Sequence, residues 1–317
     1  MKYELIEGED FNDEVCRKGD EHIIFTDEVA PKDVELTDLS NDGDGSVVGW
    51  MEKDGVYKVS TQIEGQKIIF NKDSSFMFTK CENISRIDFT FIDTSRVETM
   101  QEMLAGCKNL EELDLRNLNT SKVVNMYGMF VYCDKLKQLD LSRFDTSNVT
   151  DMSRMFEECK KLTKLDLSNL DTSNVMSMWE MFEGCEGLKE LDLSTFNTSK
   201  VEYMESMFYK CSNLTSLDLS HFDTSNVMSM WEMFAKCENL KELDLSSFNT
   251  SKVESMAGMF DRCLGLTNMD LSNFDTSKVD TMIGMFKDCE KLKNLKTTDK
   301  QIKNIYEEWL ASQQNQL

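Results

Sequence analysis

The sequence is short of positive charge, of histidine and of long apolar runs, and each shortage closes off a class of function. Thirty-five Lys and Arg stand against 58 Asp and Glu in 317 residues, a formal net charge of −23. Nucleic acid needs a basic footprint for its phosphates, so it is not expected as a ligand. The only histidines are His22 and His221, too few and too far apart in the chain for a clustered metal site. No Ser/His/Asp set and no Gly-rich phosphate loop is present, and the polar residues repeat uniformly instead of converging. The chain is therefore expected to be no enzyme and to hold no metal or cofactor. No apolar run approaches the ~18 residues of a membrane span, and the N-terminus lacks a basic-plus-apolar pattern. Neither a membrane crossing nor an export address is expected in the chain as it stands.

What is present is one sentence written eight times. Nine of the ten cysteines (Cys81, Cys107, Cys133, Cys159, Cys185, Cys211, Cys237, Cys263 and Cys289) are spaced by 26 residues without insertion or deletion. Fixed-period self-similarity of this length marks a solenoid. Each copy opens L-x-x-L-D-L-S, as in Leu162, Leu165, Asp166, Leu167 and Ser168, where alternation puts the leucines on one side of a short strand and the Asp on the other. Asp-Thr-Ser or Asn-Thr-Ser follows, which is turn chemistry. Pairs such as Ser95 with Glu98 and Ser199 with Glu202 fit a capping box. Then comes V-x-x-M-x-x-M-F-x-x-C, as in Val149, Met152, Met155, Phe156 and Cys159. Offsets of 0, 3, 6, 7 and 10 predict an α-helix of about three turns with one apolar stripe. The expected fold class is thus α/β: a leucine-rich-repeat-type solenoid of eight 26-residue strand-turn-helix repeats. With helices ~8–10 Å apart and strands ~4.8 Å apart, the stack is expected to bend into a horseshoe with the strands inside.

Four stretches divide the chain. Residues 1–45 carry 15 acids against 4 Lys and Arg, and 1–20 read as a loosely held arm. Residues 46–80 read as a small β-rich cap, with a hairpin region over 47–70 and a truncated first copy ending in Met77 and Phe78. His22-Ile23-Ile24-Phe25 suggests an edge strand. Asn41 to Gly45 resembles a calcium loop only superficially, since Met51 stands where an EF-hand needs an acid, and it reads as a Gly-rich turn. Residues 81–288 hold the eight repeats. Residues 289–317 read as a partial repeat and a capping helix, begun by a capping box over Thr298 to Gln301 and buried through Ile302, Ile305, Trp309 and Leu310.

The candidate binding residues are the strand aspartates Asp88, Asp114, Asp140, Asp166, Asp192, Asp218, Asp244 and Asp270. Ser142, Ser168, Ser194, Ser220, Ser246 and Ser272 flank them. In register at ~4.8 Å, like charges repel by up to roughly 1 kcal/mol per pair even in water, so their retention calls for a cause. Either each accepts hydrogen bonds from a neighbouring Ser or turn amide, or the column receives a basic segment or cations. Arg86, Arg116, Arg143, Lys164 and His221 dilute it, and no calcium array is expected. The cysteines share one apolar slot and read as reduced core thiols, and the Met-Phe boxes as core filling. The N-x-S/T triplets at Asn83, Asn119, Asn148, Asn197, Asn213 and Asn249 follow from the repeated turn, and no glycosylation is read from them. Residues 171–222 and 223–274 agree at 38 of 52 positions, which points to duplication of two-repeat blocks. Tyr127, Trp179, Trp231 and Ile283 recur at that period beside smaller residues, as packing or as an aromatic stripe.

Over Ser74 to Leu295 the unit LDLSxFDTSxVxxMxxMFxxCxxL closely resembles the 26-residue repeat of BspA-like leucine-rich-repeat bacterial surface proteins. It departs from the general leucine-rich pattern at Phe144, Phe196, Phe222, Phe248 and Phe274, which stand where an Asn or Cys is usual, so that a Phe spine would replace the Asn ladder. The resemblance implies bacterial display or secretion and a role in adhesion. The expected function is a non-enzymatic module, a monomer, offering an acidic concave surface to a protein or glycan partner. The alternative is an intracellular scaffold or effector using the same surface.

Overall fold

A run of Leu-Asp-Leu can bury only alternate side chains, so each such strand needs neighbours on its edges and a floor beneath it. The computed structural model describes residues 1–16 and 21–314. These form two units, Met1–Val149 with Cys159–Leu170, and Thr150–Glu158 with Asp171–Leu317. The elements are α1 (Gly8–Val15), β1 (His22–Thr26), β2 (Thr37–Asp38), β3 (Val48–Met51), β4 (Val56–Ser60), β5 (Ile68–Ile69), β6 (Arg86–Asp88) and β7 (Ile92–Asp93). They continue with β8 (Gln138–Asp140), β9 (Lys164–Asp166), β10 (Ser216–Asp218), β11 (Glu242–Asp244), β12 (Asn268–Asp270), β13 (Asn294–Lys296) and α2 (Lys300–Gln314). The strands of successive repeats pair in parallel and in register: Asp140 with Asp166, Leu139 with Leu165, and Asp218 with Asp244.

The second half of each repeat is not the helix that its periodicity predicts. From Val97 to Cys107 the chain runs through a succession of turns. The amides of Met100, Glu102, Leu104 and Gly106 donate to Asn125, Tyr127, Met129 and Val131 one coil on, at 2.7–3.0 Å. Those of Met103, Ala105 and Cys107 turn back onto Met100, Glu102 and Leu104. A helix would spend all of these amides on its own carbonyls. The second unit repeats the arrangement, with Met178, Glu180, Phe182 and Gly184 donating to Tyr203, Glu205, Met207 and Tyr209. Two positions per copy hold positive φ, for example Arg154 and Glu158, or Ser206 and Lys210, and this left-handed backbone is incompatible with a continuing α-helix. The Ser…Glu pairs therefore cap nothing. The Ser95 amide donates instead to Asp93, and Glu98 pairs with Lys72 on the preceding coil.

The apolar stripe itself is buried as expected: Val175, Met178, Met181, Phe182 and Cys185 are fully inaccessible. Its offsets fit a chain of tight turns as well as a helix.

Three ladders hold the interior. Phe156, Phe182, Phe208, Phe234, Phe260 and Phe286 stack with ring centroids 5.7–6.0 Å apart and planes within 10°. Buried threonines supply the polar ladder that the sequence assigned to a Phe spine alone. Thr224 Oγ1 donates to Asn249 O at 3.0 Å and accepts from Asn249 N at 2.8 Å, and Thr172, Thr198 and Thr250 do the same one coil apart. Phe144, Phe196, Phe222, Phe248 and Phe274 are buried beside them. The cysteines make the third ladder. Cys107 Sγ donates to Phe78 O and Cys211 Sγ to Phe182 O, each reaching the preceding coil. Eight thiols are free and buried, and burial pushes that of Cys107 up to about 12.

Both ends differ from expectation. Over its described part, residues 1–16, the predicted loose arm is ordered; residues 17–20 lie outside the described residues. Phe11 and Val15 of α1 are fully buried, and Phe11 meets Phe78 edge-on at 5.6 Å. Asn12 donates to Thr79 O at 2.9 Å. Gly8 is obligatory, since a Cβ there would stand 2.1 Å from Ser75 O. Cys81, the first of the column, is not a free thiol but is disulfide-bonded to Cys16. The predicted edge strand, β1, is central: the sheet order is β2-β3-β4-β1-β6, with β1 parallel to both neighbours. Phe25 on β1 packs against Phe70 and Phe89, which is why a strand so rich in large apolar residues sits inside. At the other end Asp299, not Thr298, caps α2, accepting from the amides of Gln301 and Ile302. Its other oxygen receives Thr276 Oγ1, so one carboxylate ends the threonine ladder and starts the helix.

Candidate binding face

Six of the eight predicted strand aspartates end a three-residue strand, while Asp114 and Asp192 stand at the same place in copies that form no strand; alternation turns the Asp away from the leucine floor, and the bend that follows gives it a donor. In all eight copies the carboxyl accepts from the backbone amide two residues on: Thr90 to Asp88, Arg116 to Asp114, and the Ser amide to Asp140, Asp166, Asp192, Asp218, Asp244 and Asp270. Seven of the eight aspartates are exposed, and Asp88 is half-buried. Ser142, Ser168, Ser194, Ser220 and Ser246 are exposed beside them.

Local donors favour the ionised form of five of these carboxyls. The Arg116 guanidinium, 2.6 Å away, draws Asp114 down to about 2, and the Lys296 ammonium at 2.8 Å does the same to Asp270. Hydrogen bonds from Ser142, Ser194 and Ser220 lower Asp140, Asp192 and Asp218.

In the first unit Asp88, Asp114, Asp140, Asp166 and Ser142 come together in one groove of about 1330 Å³. Arg86, Arg116 and Lys164 share it, together with Glu111, Glu112, Lys135 and Gln138, which the sequence reading did not single out. Glu112 and Gln138 stand two residues before an aspartate, and the same period-two alternation that placed the aspartates could have found them. In the second unit Asp244 lines a smaller groove of about 660 Å³ with Glu238, Lys241 and Glu242. The His221 ring meets Leu193 O at 2.8 Å, so its dilution of the column is partly a backbone contact.

A second set of carboxylates went unnoticed in the sequence because it sits in what read as a helix. Glu157, Glu180, Glu183 and Glu205 lie on the turn side of the second unit, with Arg154 between Glu157 and Glu180. Burial pushes Glu183 up to about 7, helped by the neighbouring Glu180 and Glu157 charges, and also raises Glu180 and Glu205.

One family profile, described as Mycoplasma protein of unknown function, DUF285, matches residues 72–191, 139–217 and 187–300. The chain belongs to the DUF285 family. The matched span covers the truncated first copy and the whole repeat array of this DUF285 chain. A search among curated proteins finds no match. Among solved structures, a leucine-rich cell surface protein from Faecalibacterium prausnitzii A2-165 is similar at 12% identity over 82% of this chain and 96% of that one, with a TM-score of 0.28. A TLR13–ssRNA13 complex is similar at 19% identity, over 73% of this chain and 40% of that chain, with a TM-score of 0.27. Among the described residues no helix is long and apolar enough to cross a membrane.

Proposed function

We propose that this DUF285 chain is a non-enzymatic binding module of the leucine-rich-repeat type. It presents the carboxylate-bearing strand side to a protein or glycan partner outside a bacterial cell. The observation that carries this reading is the groove of the first unit, where Asp114 lines the wall with Asp140 and Asp166, which stand on paired parallel strands. Asp114 and Asp140 are held in the charged form by their donors before any partner arrives, which favours rapid capture of a basic segment. The groove repeats its side chains along the stack, an arrangement suited to an extended ligand and not to chemistry at one point. Display outside the cell is supported by the Cys16–Cys81 disulfide, since such bonds persist in oxidising compartments, and by the BspA-like repeat. The eight free thiols favour the second reading, an intracellular scaffold using the same face.

Two measurements test the proposal. Intact producing cells are labelled with a membrane-impermeant amine reagent, and labelling of the chain at the level of a known surface protein is expected. Labelling only after lysis would assign the scaffold reading. An oligolysine peptide is then titrated into the purified chain and into the Asp114→Asn/Asp140→Asn/Asp166→Asn variant. Weaker, less salt-dependent binding by the variant is expected, and unchanged binding removes the strand side as the docking face.

A further inference from the structure

The turn side of the second unit carries two rows whose chemistry alternates over three coils, Met176 with Trp179, Glu202 with Glu205, and Met228 with Trp231. In the first row Met176, Glu202, Met228, Glu254 and Asp280 stand one after another, each amide donating to the carbonyl of the residue before it at 2.7–3.0 Å. In the second row Trp179, Glu205, Trp231, Ala257 and Ile283 hold equivalent places; the carbonyls of the last four accept from Glu180, Ser206, Glu232 and Gly258. Tyr203 lies on the coil between, bridged to Ser177 and Ser229. Several apolar side chains here are open: Met176 is 48% exposed, Tyr203 41%, Trp231 42% and Ile283 83%, while Trp179 and Met228 are half-buried. Packing of large against small neighbours, one of the two readings of this row in the sequence, leaves such surface uncovered.

Bridged parallel coils advance by ~4.8 Å, so the Met-Trp coils recur about every 10 Å with a Glu-Glu coil halfway between. Seven residues of an α-helix advance ~10.5 Å, and residues three or four along return to the same face after ~5 Å. A helix with apolar residues at i and i+7 and cations at i+3 or i+4 therefore meets the two kinds of coil in turn. An extended strand repeats on one face every ~6.8 Å and falls out of step. An extended glycan could stack on Trp179 and Trp231, but it would leave the thioethers of Met176 and Met228 and the alternating carboxylates unused. Methionine adapts to irregular apolar knobs, and carboxylates between them select cations. Glu205 adds a local asymmetry: its Oε2 is screened from solvent and has no hydrogen-bond donor. A cation beside it meets a carboxylate that water serves poorly.

We propose that the turn side of the second unit docks a basic amphipathic α-helix lying along the stack. Its apolar residues, seven apart, cover Met176 with Trp179 and Met228 with Trp231, and Lys or Arg between them reach Glu202 and Glu205. This surface is distinct from the strand-side groove, and either proposal stands if the other fails.

The test uses the full chain and a synthetic helical peptide of about four heptads with Leu at i and i+7 and Lys at i+3 and i+4. Its control has the same composition and helicity but no single apolar stripe. By fluorescence anisotropy the patterned peptide binds, and the control is at least about tenfold weaker. Trp231→Ala, Met176→Ala and Glu202→Gln, each checked for an unchanged far-UV spectrum, weaken binding by about tenfold, whereas Glu64→Gln, at an exposed carboxylate outside both faces, leaves it unchanged. Equal binding of both peptides, or indifference to all three turn-side variants, overturns the proposal. So does cellohexaose or chitohexaose binding that depends on Trp231 when the patterned peptide does not bind; that result assigns the face to a glycan.

Discussion

On the strand side of a coil, Asp140 is held below the ordinary carboxylate range by its hydrogen bonds from Ser142, whereas on the turn side burial pushes Glu183 up to about 7. The pattern extends across both sides. Asp114, Asp192, Asp218 and Asp270 are lowered, and Glu180, Glu205, Glu232 and Asp261 are raised. The cause is where the backbone amides go. After each strand an amide is left for the aspartate. In the turn segment alternate amides leave for the next coil and the rest close turns, so the carboxylates there find few donors while the coils crowd them. These strand-side aspartates therefore favour their charged form, whereas Glu180, Glu183, Glu205, Glu232 and Asp261 on the turn side carry charge at a cost, close to exposed apolar residues.

Predictions follow from that contrast. Phe208→Ala opens the stacked column on the turn side and is expected to cost about 3–5 kcal/mol in urea unfolding. Half-buried Leu243 on the strand side should cost less on the same change, about 2 kcal/mol. Equal losses would mean that the two sides are packed alike. Thr224→Val keeps the shape but strands the Asn249 amide and carbonyl, and a loss of about 1–3 kcal/mol is expected.

The pH response separates the sides by sign. Glu183 has a folded pKa of about 7 against 4.5 for the free side chain. Its contribution to stability is full below 4.5 and is lost as pH rises through 7. With its partial exposure discounted, the effect is on the order of 1 kcal/mol between pH 5 and 8, and Glu183→Gln should flatten that slope. The lowered aspartates act oppositely: their contribution is present above 3.8 and fades as pH falls toward 2. The smallest effect is the most diagnostic in sign. Arg262 has φ 57°, so Arg262→Gly should stabilise by up to about 1 kcal/mol, whereas in a helix interior the same change costs about that much.

Much of this was readable in the sequence, and the exceptions share a cause. The outward Asp166 and the buried Val175, Met178, Met181, Phe182 and Cys185 follow from alternation and from offsets that any compact local path must respect. Those offsets report which side chains face inward, not how the backbone between them satisfies its amides. Met-rich segments with good helix formers thus read as helices although Ser206 and Lys210 sit at positive φ. Thr224 looked like turn chemistry because its partner, Asn249, lies a full coil away. Cys16 lies 65 residues from Cys81, and nothing in the local pattern around α1 shows that Phe11 and Val15 cover the first coil. The groove was half visible: the aspartates were found, but Glu112 and Gln138 were not.

The central claim is that the Val-Met-Met-Phe-Cys segments are hydrogen-bonded turns and not helices. Far-UV circular dichroism of the purified chain measures this directly. Helices of 8 and 15 residues among the described residues predict a weak 222 nm band over a spectrum dominated by turns and short strands. A strong 208/222 nm double minimum, equivalent to about a quarter of the chain as eight helices of about three turns would give, contradicts it.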